Sequence, residues 1–378
     1  MNVLGISGLD NNVSFKKGHF PHLSPREYRI AQGFDSAAAL VSDGRILAAA
    51  AQERFSREKA TGAFPAEAME YCMEQAGIGP EDIDFLAHGF SYEPFKAHFQ
   101  NDDFLKAQYE GLYQPSLQLE ALNEHFAGLD WSKKFVPVPH HLAHAASAFD
   151  LSGFPEALIL ITDGMGEIHS MTALVGSQEG MEIIRQVPAL HSAGVLYGVV
   201  TLYLGFFMGL DEYKVMGLAP YGDPRRYYDR MMEFVRLREN GTYTIPLLAE
   251  DKTTLEKETH AGVLRVLDEA FGLRRDPGSE ITQVHKDVAS ALQAVLETIQ
   301  LHLLRTLKDE TGLENLCMAG GVALNCTANG VIKRSRLFKK TFVQPASGDD
   351  GSSLGAALYV HRMNGAGSRP ARISASSS

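Results

Sequence analysis

Apolar residues along this chain fall into short runs that end in glycine- and aspartate-rich turns, with stretches of helical period between them. Val3 to Ser7 is such a run, closed by Gly8-Leu9-Asp10, and reads as a buried strand followed by a turn. From Asp35, two apolar runs flank Ser42-Asp43-Gly44-Arg45, and an Asp-Gly pair between such runs predicts a hairpin. Ala68, Met69, Cys72, Met73 and Ala76 then recur on one helical face between Pro65 and Gly77. Ile83 to His88 predicts a further strand. Phe135 to Val138 predicts another, leading into a helix that opens at Pro139, where a missing N–H costs nothing.

The same cycle then recurs. Ala157 to Thr162 predicts a buried strand ending in Asp163-Gly164-Met165-Gly166, Met171 to Val175 and Ile183 to Val187 predict two more, and Gly194 to Phe207 has helical character. A long amphipathic helix is expected from His285 to about Lys308, with Val288, Leu292, Val295, Leu296, Ile299, Leu303 and Leu304 as its buried stripe. Leu316 to Ala319 and Phe342-Val343 predict strands that run into Gly320-Gly321 and into Gly348-Asp349-Asp350-Gly351, and a last helix covers about 352–363. Strand, glycine-rich turn and helix in two rounds suggest an internal duplication of one βββαβα unit. Two segments lie outside this rhythm: residues 11–33 read as a long irregular loop, and residues 222–283, charged and turn-rich, as an insertion. The expected division is therefore a first lobe over 1–150, a second over 151–365 carrying that insertion, and a disordered tail over 366–378.

Composition narrows the class. Of 378 residues, 45% are hydrophobic and 21% charged, as in an ordinary globular enzyme with a large interior. A net charge of −11 argues against nucleic acid as the main partner, although Lys333, Arg334 and Arg336 form a local basic patch. Three scattered cysteines make neither a disulfide framework nor a thiolate zinc site, so any metal should sit on histidine and carboxylate. The N-terminus lacks a secretory pattern, and no run of about 18 apolar residues occurs. The expectation is a cytoplasmic protein with no membrane partner.

The most informative stretch is PHHLAHAASAF, residues 139–149. His140 and His144, four apart on a helix, place both imidazoles on one face about 6 Å apart at Cβ, close enough to share one ion. His141 lies on another face. Asp163 and Asp349 sit beside glycines at strand ends, where side chains face a cleft. Two histidines with carboxylates and open positions suit Fe(II), Mn(II) or Zn(II) rather than a closed structural zinc site. Three glycine-rich turns, Gly5 to Asp10, Asp163 to Gly166 and Ala319 to Asn325, follow buried strands, where backbone N–H groups can approach phosphate or ribose. None is a complete nucleotide motif, and each by itself is equally a tight turn.

Taken in order, the segments FDSAAALVSDGRILAAAAQERFSREK, PHHLAHAASAF, LITDGMGE, EYKVMGLAPYG, AGGVALNCTANG and GDDGSSLGAAL, spanning 34–358, resemble the O-carbamoyltransferase family of nodulation, cephamycin-type and tobramycin carbamoyltransferases. The family lies within the actin, heat-shock chaperone and sugar-kinase (ASKHA) superfamily. The resemblance implies an α/β fold of duplicated ribonuclease-H-like lobes with mixed five-stranded sheets. It implies transfer of a carbamoyl group from carbamoyl-adenylate, made from carbamoyl phosphate and ATP, to a hydroxyl of a small natural product or sugar.

On the same resemblance His140, Asp163 and Asp349 are metal ligands with His144 beside them, and the metal is a divalent ion, Fe(II) ahead of Mn(II) or Zn(II). Gly320, Gly321 and Asn325 would meet adenosine, and Gly164 and Gly166 the phosphate. Lys214 would face the acyl phosphate, its alternative being a solvated helix lysine. No covalent enzyme intermediate is needed, so Cys326 is assigned to packing.

Two departures stand out. A His-Asp pair common in the family is Phe34-Asp35 here, so Asp35, or His19 or His22 from the irregular loop, would have to act as base. The family's C-terminal carbamoyl-phosphate-binding domain does not follow residue 378, so a separate or deleted partner domain is expected to make the adenylate. A homodimer is compatible with this reading. The rivals are a tRNA threonylcarbamoyl-transfer protein, a kinase or ATPase of the same superfamily, and a non-catalytic nucleotide-binding module.

Overall fold

A computed structural model describes residues 1–365; the tail expected over 366–378 lies outside the described residues. Two five-stranded mixed sheets organise it. The first is ordered β3-β2-β1-β4-β5, with β1 Asn2–Ile6, β2 Ala37–Ser42, β3 Arg45–Ala51, β4 Phe85–His88 and β5 Phe135–Pro137. The second, formed by β6 Ala157–Gly166, β7 His169–Gly176, β8 Met181–Pro188, β11 Asn315–Ala319 and β12 Lys340–Val343, is ordered β8-β7-β6-β11-β12. In each sheet the first strand pairs antiparallel with the second and parallel with the fourth, so one topology occurs twice. This is the duplicated α/β architecture expected, each copy carrying one strand and one helix more than the βββαβα unit read from the strand rhythm. A two-stranded ribbon, β9 Arg236–Leu237 with β10 Tyr243–Thr244, completes the strands.

The local signals act as expected. Asp43 and Gly44 take positive φ of 46° and 76° to turn β2 into β3, and Gly77 ends the Ala66–Ala76 helix at φ 67°. The amphipathic helix runs slightly longer than its stripe, Gln283–Thr311. Its buried face shares one core with Val199, Val200 and Tyr203 and with Leu247, Val263, Leu267 and Phe271 from the 222–283 segment, so that segment packs into the second lobe. Among the described residues no helix is long and apolar enough to cross a membrane.

Three expectations change. The irregular stretch 11–33 contains a helix, Asn12–His19, and a helical turn, Pro25–Tyr28, closed by a Ser24–Glu27 capping box. Their order comes from tertiary contacts that leave no apolar period. Lys16, 3% exposed, gives its ammonium to the Ile30 and Glu258 carbonyls, each at 2.7 Å, and to the Glu258 carboxylate at 3.1 Å. Next, β6 continues through Asp163 to Gly166 as a bulged strand, with a register shift between Thr162 and Gly166, so the turn falls after Gly166. Finally, Asp349 is the first residue of the last helix, Asp349–Asn364, rather than part of the preceding turn.

The Lys16 arrangement ties the 11–33 segment of the first lobe to the Thr254–Thr259 helix of the second. Removing one partner of a buried pair strands the other. Lys16→Met is therefore expected to cost about 3 kcal/mol, read by urea denaturation, and adding Glu258→Gln in the same chain should recover part of it; full stability of Lys16→Met would refute the tie.

How the lobes join decides the site. The helix after β5, His140–Ser152, lays Ala145, Ala148 and Phe149 on Ile159, Ile161, Leu174 and Cys317 of the second sheet. The helix after β12, Asp349–Asn364, lies on β1, β2 and β4 of the first sheet. Each closing helix thus crosses to the opposite lobe. The two pack on each other through Ala143, Ala146, Ala356, Ala357 and Val360. A Cβ at Gly355 would lie 1.7 Å from the Ala143 carbonyl oxygen, so only glycine permits this crossing.

Candidate metal centre

Because the two helices cross near their starts, their first residues meet. His140, His144, Asp163 and Asp349 each present a ligand atom, and these atoms all lie within 4.8 Å of one another. His140 and His144 are fully buried, Asp163 nearly so, and Asp349 partly. His140 Nε2 is 3.1 Å from Asp163 Oδ2, 3.4 Å from Asp349 Oδ1 and 3.0 Å from His144 Nε2. His144 Nε2 is 3.8 Å from each carboxylate.

The surrounding bonds aim these atoms inward. His140 Nδ1 lies 2.8 Å from the Gly89 carbonyl, which can only accept, so Nδ1 carries a proton and it is Nε2 that would offer a lone pair to a metal. Phe90 stacks on the same ring at 4.2 Å and 5°. Asp163 Oδ1 accepts from the Gly164 N–H at 2.8 Å and the Gly321 N–H at 3.0 Å, which turns Oδ2 toward the imidazoles. A Cβ at Gly166 would come within 2.6–3.0 Å of the His141 and His140 rings, so glycine there lets the histidines approach the strand.

The electrostatics of the cluster favour positive charge at its centre. Burial alone would lower the His140 basicity, but the carboxylates of Asp349 and Asp163 more than reverse that and raise it well above the usual histidine value. Burial would raise Asp163, but its bond to His140 and the nearby imidazoles hold it far below the usual carboxylate range; Asp349 is lowered in the same way. Two imidazole nitrogens and two carboxylates converging in a buried place favour a positive charge among them, a proton or a metal ion. Neutral imidazole with carboxylate oxygen is a donor set for Fe(II), Mn(II) or Zn(II), so the residues fit a divalent metal.

The N-terminal carbamoyltransferase profile matches residues 30–358. The chain belongs to the carbamoyltransferase family. It is 39% identical over 337 residues to nodulation protein NolNO of Sinorhizobium fredii, covering 86% of this chain and 46% of that protein. It is 24% identical over 347 residues to the 3'-hydroxymethylcephem-O-carbamoyltransferase of Streptomyces clavuligerus, covering 86% and 57%. The chain thus spans about half the length of these curated relatives. Among solved structures, HypF of T. kodakarensis aligns over 95% of this chain and 48% of its own at a TM-score of 0.43 and 14% identity, too loose a likeness to carry an argument.

The other predicted residues of this carbamoyltransferase chain are placed as follows. Gly164 and Gly166 lie on the bulged end of β6 beside the cluster, Gly164 giving its N–H to Asp163. Gly320 follows β11 at φ 89°, and the Gly321 amide serves Asp163. Asn325 caps the Cys326–Ser335 helix through the Ala328 N–H and pairs with Gln293 in both directions. Lys214, largely exposed, ion-pairs with Asp211 at 2.7 Å. Cys326 is exposed, its Sγ 3.8 Å from Met216 Sδ. His19 Nδ1 bonds the Phe15 carbonyl within its own helix, and His22 is exposed.

Phe34 is buried beneath the Arg29 guanidinium, 4.1 Å from the ring centroid. Asp35 takes φ 56°, and its carboxyl is pushed up to about 7 by burial, then by Asp349, Asp350 and Glu53. Sequence reasoning missed Gly89, Phe90 and Glu167. Glu167 stood in the quoted LITDGMGE segment, but its partners, the His140 and Ser91 N–H groups, are 27 and 76 residues away, and no local pattern reports them.

Proposed function

We propose that this chain carries out the acyl-transfer step of an O-carbamoyltransferase, moving carbamoyl from carbamoyl-adenylate, formed from carbamoyl phosphate and ATP, to a hydroxyl of a small natural product or sugar. The observation that supports it is the buried histidine–carboxylate cluster at the lobe junction of a carbamoyltransferase-family chain. His140, His144, Asp163 and Asp349 would hold the divalent metal. When bound, it supplies Lewis-acid polarisation of the carbamoyl carbonyl.

The protein's own groups do the rest. Gly89 and Phe90 hold His140 in one tautomer and orientation, and Gly321 holds Asp163. Asp35 takes the proton of the attacking hydroxyl as AMP leaves. Lys214, Gly164 and Gly320 would contact the nucleotide, with Lys214 first giving up its bond to Asp211.

The test supplies synthetic carbamoyl-adenylate with Fe(II), Mn(II) or Zn(II) and a panel of hydroxyl acceptors, and looks for metal-dependent AMP release with a carbamate on the acceptor. Transfer to tRNA from threonylcarbamoyl-adenylate instead would establish the threonylcarbamoyl reading, phosphorylation of an acceptor by ATP the kinase reading, and nucleotide binding with no transfer the binding module.

Asp35 adds a pH dependence. Below about 7 its carboxyl keeps its proton and cannot accept another, so transfer should rise with pH through that region. A dication in the adjoining cluster moves the midpoint downward. Asp35→Asn should lose this limb and about 10²–10⁴-fold in rate; a pH–rate profile identical to wild type would remove Asp35 from the role.

A further inference from the structure

Glu167 is 6% exposed, has a positive φ of 47°, and stands at the β6–β7 turn of the second lobe. Its Oε1 accepts two backbone N–H groups, from His140 at 2.9 Å and from Ser91 at 2.9 Å. Both donors belong to segments that leave the first sheet: Ser91 follows β4 and His140 follows β5. The helix begun by His140 has Pro139 at its N-cap, which offers no side-chain cap, so its first free N–H is satisfied from the other lobe. A carboxylate at that end also meets the positive pole of the helix.

The two donors bracket the groups that orient His140. Gly89, whose carbonyl fixes Nδ1, lies two residues before Ser91, and Phe90, which stacks on the ring, lies between them. One oxygen therefore holds both the backbone of His140 and the segment that sets its side-chain orientation. We infer that Glu167 is a positioning residue that clamps His140 and residues 89–91 together so that Nε2 faces Asp163 and Asp349. The inference rests on the metal reading of the cluster, and it adds a residue outside the ligand set. The geometry supports this: a single buried carboxylate oxygen receives both amides, each at 2.9 Å.

The test uses the full chain and Co(II) as probe, titrated by visible absorption, together with hydrogen exchange of the His140 and Ser91 amides. Wild type should saturate at one equivalent. Glu167→Ala should bind about 10–100-fold more weakly, the range for losing an outer-shell partner, and both amides should exchange faster. Glu167→Gln keeps an oxygen that can accept both N–H groups and should stay close to wild type on both readouts. Glu167→Asp keeps the charge but withdraws it by one methylene and should resemble Glu167→Ala. Wild-type binding and exchange in Glu167→Ala, or loss in Glu167→Gln with retention in Glu167→Asp, would overturn the inference. If wild type itself takes up no Co(II), the metal reading fails, while amide exchange still decides whether Glu167 is the clamp. Should Glu167→Ala not fold, the Gln and Asp variants carry the comparison.

Discussion

Replacing His140 by alanine is expected to abolish divalent-metal uptake and carbamoyl transfer together. The ring contributes the atom closest to all three other donors, at 3.0–3.4 Å, so its loss leaves His144 and two carboxylates spread around a cavity. Outer-shell losses already cost about 10–100-fold in metal affinity or activity, so loss of a ligand should exceed about 100-fold. The Asp163 and Asp349 carboxylates, deprived of imidazole, should also rise toward ordinary values, because His140 is a main cause of their depression. Metal content by elemental analysis and AMP release from carbamoyl-adenylate check both halves. His141→Ala is the control: its Nδ1 pairs with Thr172 at 2.7 Å outside the cluster, so it should still take up metal. Intact nucleotide-dependent phosphotransfer in His140→Ala would favour a kinase of the same superfamily.

The second large effect is expected at Gly355, which touches no ligand. Its added Cβ in Gly355→Ala would fall 1.7 Å from the Ala143 carbonyl oxygen, and both groups are helix backbone, so neither can move without shifting a helix. Overpacking costs typically 1–3 kcal/mol, and a backbone clash belongs at or above the top of that range, about 3 kcal/mol. The shift also separates Asp349 at one helix start from His140 at the other. Gly355→Ala should therefore lose stability in urea denaturation and metal affinity together. Full stability with weakened metal binding would show that the helices slide freely, and wild-type values for both would show that the crossing is looser than the contact implies.

Much of the fold was legible because its signals are local. The two rounds of apolar runs, the Asp43-Gly44 hairpin, the Gly77 stop and the stripe from Val288 to Leu304 each lie within one element, and each matches what formed. Residues 11–33 were not legible. Their helix Asn12–His19 carries no apolar stripe, and Lys16 is ordered by Glu258 far along the chain. The bulge that keeps Asp163 to Gly166 in β6 was hidden too, since a glycine-rich stretch reads as a turn whichever side of the turn it occupies.

For the candidate site the division is similar. The sequence by itself determined the residue types, the four-residue histidine spacing and the carboxylates beside glycines, because these follow from helix period and strand ends. Only the tertiary structure decided that His140, His144, Asp163 and Asp349 converge, that Gly321 serves Asp163, and that Glu167 reaches from the second lobe to the first residue of the histidine helix. The physical reason is the crossing of the two closing helices: each packs on the opposite lobe's sheet through alanine and glycine, whose small size sets the approach. That contact depends on both helices at once and has no signature in either alone.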